Sequence, residues 1–304
     1  MKQYTLKVDE EYHNERIDRY ISSVLAEFSR SYIQKLIEQN NVLINGKECK
    51  ASNKVNDSDV VIVNTPDAVV PDIVAENIPL EVLYEDSDVL VVNKPKDMVV
   101  HPAPGHYEHT LVNAIMYHCA DNLSGINGVL RPGIVHRIDK DTTGSVIVCK
   151  NDFSHECIAK QLKDHSIKRE YVAIVEGVID ESEGIINKPI GRDSKDRKKM
   201  AVNVMPSKNA ITHYEVIERF KNHTYVRCVL ETGRTHQIRV HMASIGHPVT
   251  GDEVYCHVKP PIKTYGQALH AKVLGFTHPV TNEFIETEAP MPSYFEKLLS
   301  ILRM

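Results

Sequence analysis

The stretch GIVHRIDKDTTGS, residues 133–145, sets Arg137 and Asp139 two positions apart between apolar runs. Charges beside a buried segment are costly unless they are paired or used. On an extended strand end, residues i and i+2 face the same way, so both side chains would open into one cleft. A carboxylate so placed is a candidate nucleophile or proton acceptor. A surface strand end with a capping aspartate accounts for HRID equally well, so other residues must tip the balance. IKREY sets Lys168 and Tyr171 where a strand begins, and ETGRTHQIRVHMASIG sets Arg234, His236 and Arg239 at a helix start.

Other chemistries fit poorly. His101, His106 and His109 in HPAPGHYEH lack the HExxH spacing and have no cysteine pair beside them, so no metal is expected. His236 and His241 are five apart and do not share a helix face. There is no P-loop and no G-x-G-x-x-G. The six cysteines are scattered, as for free thiols in a reducing compartment. No apolar run reaches the roughly 18 residues of a membrane span, and MKQYTLKVDEEYH has no signal-peptide core. The expectation is a cytoplasmic monomer with no membrane partner.

The elements that must position these residues read as two units, as 304 residues would predict. NTPDAVVPDIVAENIPL carries three prolines and no amphipathic period, and reads as a linker. The expected division is therefore 1–64, a linker over 65–79, and 80–304. In the first unit, Ile17, Ile21, Val24, Leu25 and Phe28 recur at helical spacing, and so do Ile33, Leu36 and Ile37, with Ser29 as a candidate N-cap. VLINGK and DVVIVN read as strands, the first with an Asn45-Gly46 turn. In the second, strands mostly follow strands, with helices expected at TLVNAIMYHC (N-cap Thr110), DFSHECIAKQLKDH, RTHQIRVHMASIG and the C-terminal SYFEKLLSILRM. DFSHECIAKQLKDH is expected to turn Phe153, Ile158 and Leu162 inward. The class is α+β, a largely antiparallel mixed sheet with helices outside.

Residues 14–64, with RID, SR and VLINGK in order, resemble the αL RNA-binding module of the S-four ribosomal-protein type. Asn40-Asn41 stands where that family usually has a glycine, and Asn tolerates the same left-handed turn. The resemblance implies RNA contact through Arg16, Arg19, Arg30, Lys35, Lys47 and Lys50. Glu15, Asp18, Glu27, Glu38 and Glu48 are interleaved with them, as on an ordinary solvated face. The net charge of −5 argues mildly against a nucleic-acid partner. Charge can be local, however. Residues 185–200 hold six Lys or Arg, among them Lys195, Arg197, Lys198 and Lys199, against two Asp.

From Leu80 to Pro290 the chain resembles the RluA-type RNA pseudouridine synthases. The run is KPKDMVVHPAPGHYEHTLVNAI, HRIDKDTTG, the K-x-Y-like IKREY, TGRTHQIR, GHPVTGDEVY and LHA. Ile138, Thr143 and Lys96-Asp97 are its small departures, the last at a place where a glycine often follows K-P. The resemblance implies breakage of a uridine N1–C1′ bond, rotation of the uracil and joining of C5 to C1′. Nothing is added or removed, so no cofactor is required. It implies Asp139 as the catalytic carboxylate, held by Arg239. Tyr171 would stack on the uracil or move the C5 proton, and Arg137 would fill the space left by the flipped nucleotide. The expected substrate is large-subunit ribosomal RNA, with transfer RNA open. A nucleic-acid glycosidase and a non-catalytic ribosome-assembly factor are the competing readings.

Overall fold

The computed structural model describes residues 2–25, 28, 30–65, 73–102, 106–120, 122–126, 132–194, 196 and 199–304. The chain divides into two compact units, residues 1–70 and 71–304.

The first unit contains β1 (Lys2–Lys7), α1 (Ile17–Val24), α2 (Arg30–Glu38), β2 (Val42–Ile44), β3 (Lys47–Glu48) and β4 (Val60–Thr65). Its antiparallel sheet has the order β1-β4-β2-β3. Ile17, Ile21, Ile33, Leu36 and Ile37, three or four apart on each helix, are buried with Val42, Val61 and Val63. Asn45 and Gly46, with φ of 48° and 77°, form the tight hairpin turn between β2 and β3. Asn40 takes the left-handed conformation, φ 57°. The expected cap Ser29 lies outside the described residues.

The second unit contains β5 (Glu81–Glu85), β6 (Val89–Lys94), α3 (Leu111–Cys119), β7 (Thr143–Cys149), α4 (Asp152–Lys163), β8 (Lys168–Glu176) and β9 (Glu183–Asn187). It continues through β10 (Ile190–Arg192), β11 (Met200–Val202), β12 (Ser207–Lys208), β13 (Ile211–Arg219), β14 (His223–Leu230), α5 (Gln237–Ser244), β15 (Leu269–Thr277), β16 (Phe284–Glu288) and α6 (Ser293–Leu302). The large sheet runs β5-β6-β7-β15-β8-β14-β13-β9, with β16 also on β15. Its pairings are antiparallel except β7 with β15, which are parallel. The expected α+β class is what the chain adopts. Strand β7 is buried at every position, because Val146 and Val148 enter one core while Ile147 and Cys149 enter another. Gly144, at φ 112°, lies where a Cβ would strike the Ala271 backbone, so β7 and β15 approach only with glycine there.

Two expectations shift. The second half of the proline-bearing stretch is not a free linker. Ile73 is buried in the core of the second unit, Asn113 Nδ2 donates to the Val74 carbonyl at 2.8 Å, and Glu76 N donates to the Asn113 carbonyl at 3.0 Å. An aperiodic stretch can still pack by single anchors, which periodicity does not register. Phe153 is 57% exposed, not inward. The buried stripe of α4 is Ser154, Ile158 and, in part, Leu162, four residues apart. Phe153 is five from Ile158 and so faces elsewhere.

Candidate active site

Asp139 ends an irregular segment, 135–139, between the isolated bridge Ile134–Val148 and β7. The expected strand end is absent, yet Arg137 and Asp139 do line one cavity of about 490 Å³. The segment is tied down from several sides. Lys94, fully buried at the end of β6, donates from Nζ to the carbonyls of Pro95, Met98 and Lys140 at 2.7, 2.8 and 2.9 Å. Burial pushes its pKa down to about 7. Three carbonyl acceptors nonetheless match the three protons of an ammonium, and a neutral amine has only two to give. Lys94 thus fixes the carbonyl of the residue immediately after Asp139. Thr142 N donates to the Asp139 carbonyl at 3.1 Å, Gln267 Nε2 holds Thr142 Oγ1 at 2.9 Å, and His270 Nδ1 meets Thr143 Oγ1 at 2.8 Å. Where the family's glycine often stands, Asp97 adopts φ 64° and pairs with Lys140 at 2.7 Å. Its neighbour Lys96 donates to the Thr264 carbonyl at 2.7 Å.

Arg239, on α5, brings the charges together. Its Nη1 donates to Asp139 Oδ2 at 2.8 Å, while Nε and Nη2 grip Asp252 at 2.6 and 2.9 Å. Asp252 Oδ1 also accepts from the amides of Val254 and Tyr255 at 2.9 and 3.1 Å. Arg239 thus holds Asp252 at two points, and Asp139 takes a single bond from its other terminal nitrogen, Nη1. Burial would lower the pKa of the guanidinium, but the two carboxylates outweigh it and hold it above its ordinary value. The second oxygen of Asp139 lies 3.8 Å from Nε2 of His236. His236, the left-handed N-cap of α5 at φ 57°, meets the Tyr255 hydroxyl through Nδ1 at 2.9 Å. That hydroxyl accepts from Met200 N at 2.8 Å.

Tyr171 lies on β8 and is 8% exposed. It lines the cavity with Asp139, and its hydroxyl makes no hydrogen bond among the described residues. Burial pushes its pKa up. Arg169, two residues earlier on the same face, also lines the cavity. Lys168 faces the other way and pairs with Glu170 at 3.2 Å and Glu286 at 2.9 Å. The basic residue beside the site is thus Arg169, because strand alternation puts 169 and 171 together. Arg137 Nη1 meets Nε2 of the buried His101 at 3.0 Å, which brings the first histidine of HPAPGHYEH to the site.

The residues expected to touch RNA have varied surroundings. Asp18, buried in the first unit, accepts from Arg16 Nε at 3.0 Å, Arg30 Nε at 2.9 Å and Gln34 Nε2 at 2.7 Å. Burial pushes its carboxyl up, but these bonds outweigh it and hold it well below the usual carboxylate range. Arg16 and Arg30 are therefore braced, each with side chain 40% or more exposed. Arg19 lies 3.9 Å from Glu15. Lys35, Lys47 and Lys50 are exposed. Lys199 closes the turn between β10 and β11 through its backbone. Lys195, Arg197 and Lys198 lie outside the described residues.

The family model described as RNA pseudouridylate synthase matches residues 88–244. The chain belongs to the RNA pseudouridylate synthase family. It is an isomerase that also carries an S4 domain, matched at residues 15–61. A Bacillus subtilis protein described as an uncharacterized RNA pseudouridine synthase is 51% identical over 303 residues, covering 100% of this chain and 99% of its own. The ribosomal large subunit pseudouridine synthase D of Zymomonas mobilis is 44% identical over 298 residues, covering 94% and 93%. Among solved structures, human RNA pseudouridylate synthase domain containing 1 matches with a TM-score of 0.57 at 27% identity, over 75% of this chain and 96% of that one. No helix among the described residues of the synthase is long and apolar enough to cross a membrane.

The synthase thus adds Asp252, Tyr255, Arg169 and Lys94 to the residues read from sequence. All four sit inside quoted motifs, GHPVTGDEVY, IKREY and the KPKD that opens the upstream run. The letters were visible, but their contacts depend on which distant segments the sheet brings to α5 and to 135–139.

Proposed function

We propose that this synthase isomerises uridines of structured large-subunit ribosomal RNA, with Asp139 acting on the nucleoside. The observation that carries the reading is the carboxylate of Asp139, held through Arg239 by Asp252 in a cleft it shares with the unengaged hydroxyl of Tyr171. Asp139 engages the uridine as the N1–C1′ bond breaks, in the way carboxylates serve glycoside cleavage. The freed uracil turns, C5 bonds to C1′, the C5 proton departs and N1 ends protonated, so atoms balance. Arg239 keeps the carboxylate aimed, and the buried ring of Tyr171 supports the uracil. Its raised pKa keeps the hydroxyl protonated at neutral pH, so it acts through its O–H. Arg137 occupies the room left when the target nucleotide leaves its helix. The choice of ribosomal over transfer RNA rests on relatives bearing the large-subunit name over nearly their whole length. Pseudouridine mapping in cells with and without the gene tests it. Loss of a signal from large-subunit RNA is expected. Loss from transfer RNA alone overturns the substrate, and release of free uracil by the purified enzyme overturns the reaction.

The first unit serves as an RNA grip tethered to the catalytic unit. A chain beginning at Ile73 keeps every anchor of the second core. It is expected to bind the RNA roughly 10- to 100-fold more weakly, since two linked contacts reinforce each other. The salt dependence of binding should be shallower by about 0.7 per lost phosphate contact. Single-turnover rate at saturating RNA should change little. Equal affinity and equal salt slope for the two chains would leave the basic residues of this unit as a plain solvated face.

A further inference from the structure

Beside Asp139 the cavity has a wall that the proposed chemistry does not use. Arg169, on β8, is 6% exposed. Its hydrogen bond runs from Nη2 to the Glu231 carbonyl at 2.9 Å, while its Nε is buried without a partner. No carboxylate pairs with it among the described residues. The other deeply buried cations are satisfied: Lys94 by three carbonyls, Arg239 by two aspartates. A buried charge left uncompensated is destabilising, and burial together with nearby Arg234 pushes the pKa of Arg169 down.

The surroundings share one sign. Arg169 lines the cavity with Arg137, Lys163 and Arg234, and the carboxylate there, Asp139, is already engaged by Arg239. A Cβ at Gly233 would come 2.5 Å from Arg169 Nη1, so the backbone of the TGR motif lies against the guanidinium. His136, lining the same cavity, accepts from Ile147 N at 3.1 Å through Nε2. Burial lowers its pKa to about 4. The ring is therefore neutral at pH 7, with its proton on Nδ1 as a further donor.

We propose that this wall is an anion subsite that takes a backbone phosphate of the RNA strand flanking the target uridine, with Arg169 as its central ligand. The inference rests on the reading of the Asp139 cleft as the reaction site. A uracil edge is a poorer occupant: its N3–H needs an acceptor, whereas this wall presents mainly donors, and a neutral base leaves the charge of Arg169 uncompensated. A phosphodiester meets both conditions, with oxygens only and a full negative charge.

The test compares inorganic phosphate, uridine 5′-monophosphate, uridine 3′-monophosphate and uridine as thermal-shift ligands for the full chain, at constant ionic strength. Phosphate and the nucleotides are expected to give a saturable upward shift, and uridine none. Arg169→Met should abolish the shift and leave the ligand-free melting temperature equal or higher, because a buried uncompensated charge has gone. Arg169→Lys should keep part of it. RNA binding by Arg169→Met should show a salt slope reduced by about 0.7, one phosphate contact. No saturable shift for the wild-type chain overturns the proposal even if Arg169→Met fails to fold. So does an Arg169-dependent shift with uridine alone, which would make Arg169 a reader of the base. Asp139→Asn separates the two readings. It should lose turnover and keep the phosphate shift. Retained turnover would remove the catalytic role of Asp139 while leaving the anion subsite to stand or fall on the shift alone.

Discussion

Asp139→Asn is expected to lower single-turnover pseudouridine formation by on the order of 10⁴-fold or more, the scale for removing a group the reaction itself uses. RNA affinity should stay within about threefold of wild type, because phosphate contacts elsewhere supply most of it. The variant should also fold. Asparagine keeps the size of the side chain and an oxygen for Arg239 Nη1, and Arg239 retains both bonds to Asp252. The expected cost is about one ordinary hydrogen bond, ~1 kcal/mol. Rate and binding measured on the same preparation decide the matter. Turnover near the wild-type rate would dismiss Asp139 as the catalytic carboxylate, and joint loss of folding and turnover would make it a structural ion.

Asp252→Ala should do its damage through stability first. Asp252 is fully buried as a side chain and receives two donors from Arg239 and two backbone amides. Its removal strands a buried guanidinium and two amides, a loss of about 3–5 kcal/mol. For a unit of this size that lowers the melting temperature by roughly 6–20 °C. Arg239 then turns further toward Asp139, and a displacement of the carboxylate by about 1 Å is enough to slow a positioned reaction some 10²-fold. Asp252→Asn keeps the shape without the charge and should fall between the two. Thermal unfolding with single-turnover rate at 20 °C checks both effects. A variant that melts within about 1 °C of wild type and turns over normally would mean that Arg239 is held by its surroundings and not by Asp252.

Sequence alone determined what depends on near neighbours. The three- and four-residue spacing of Ile17 and Ile21, and of Ile33, Leu36 and Ile37, predicts α1 and α2 because a helix repeats every 3.6 residues. Asn45-Gly46 predicts its hairpin, and Thr110 its cap, because the deciding contacts lie within a few positions. Asp139, Arg239, Tyr171 and Arg137 were legible as an ordered set of motifs, and the structure brings all four to one cleft. Tertiary structure decided the pairings. Arg239 and Asp139 are 100 residues apart, and which edge of the guanidinium meets which acid follows from where the 252–255 turn packs against α5. The turn that follows Asp139 is fixed by Lys94, brought from the end of β6, which holds the Lys140 carbonyl across 46 residues of chain. Arg169 displaces Lys168 from the site because pairing with β14 and β15 sets which face of β8 looks into the cavity. A strand's own sequence has a period of two but no mark for inside, and only its partners in the sheet supply one.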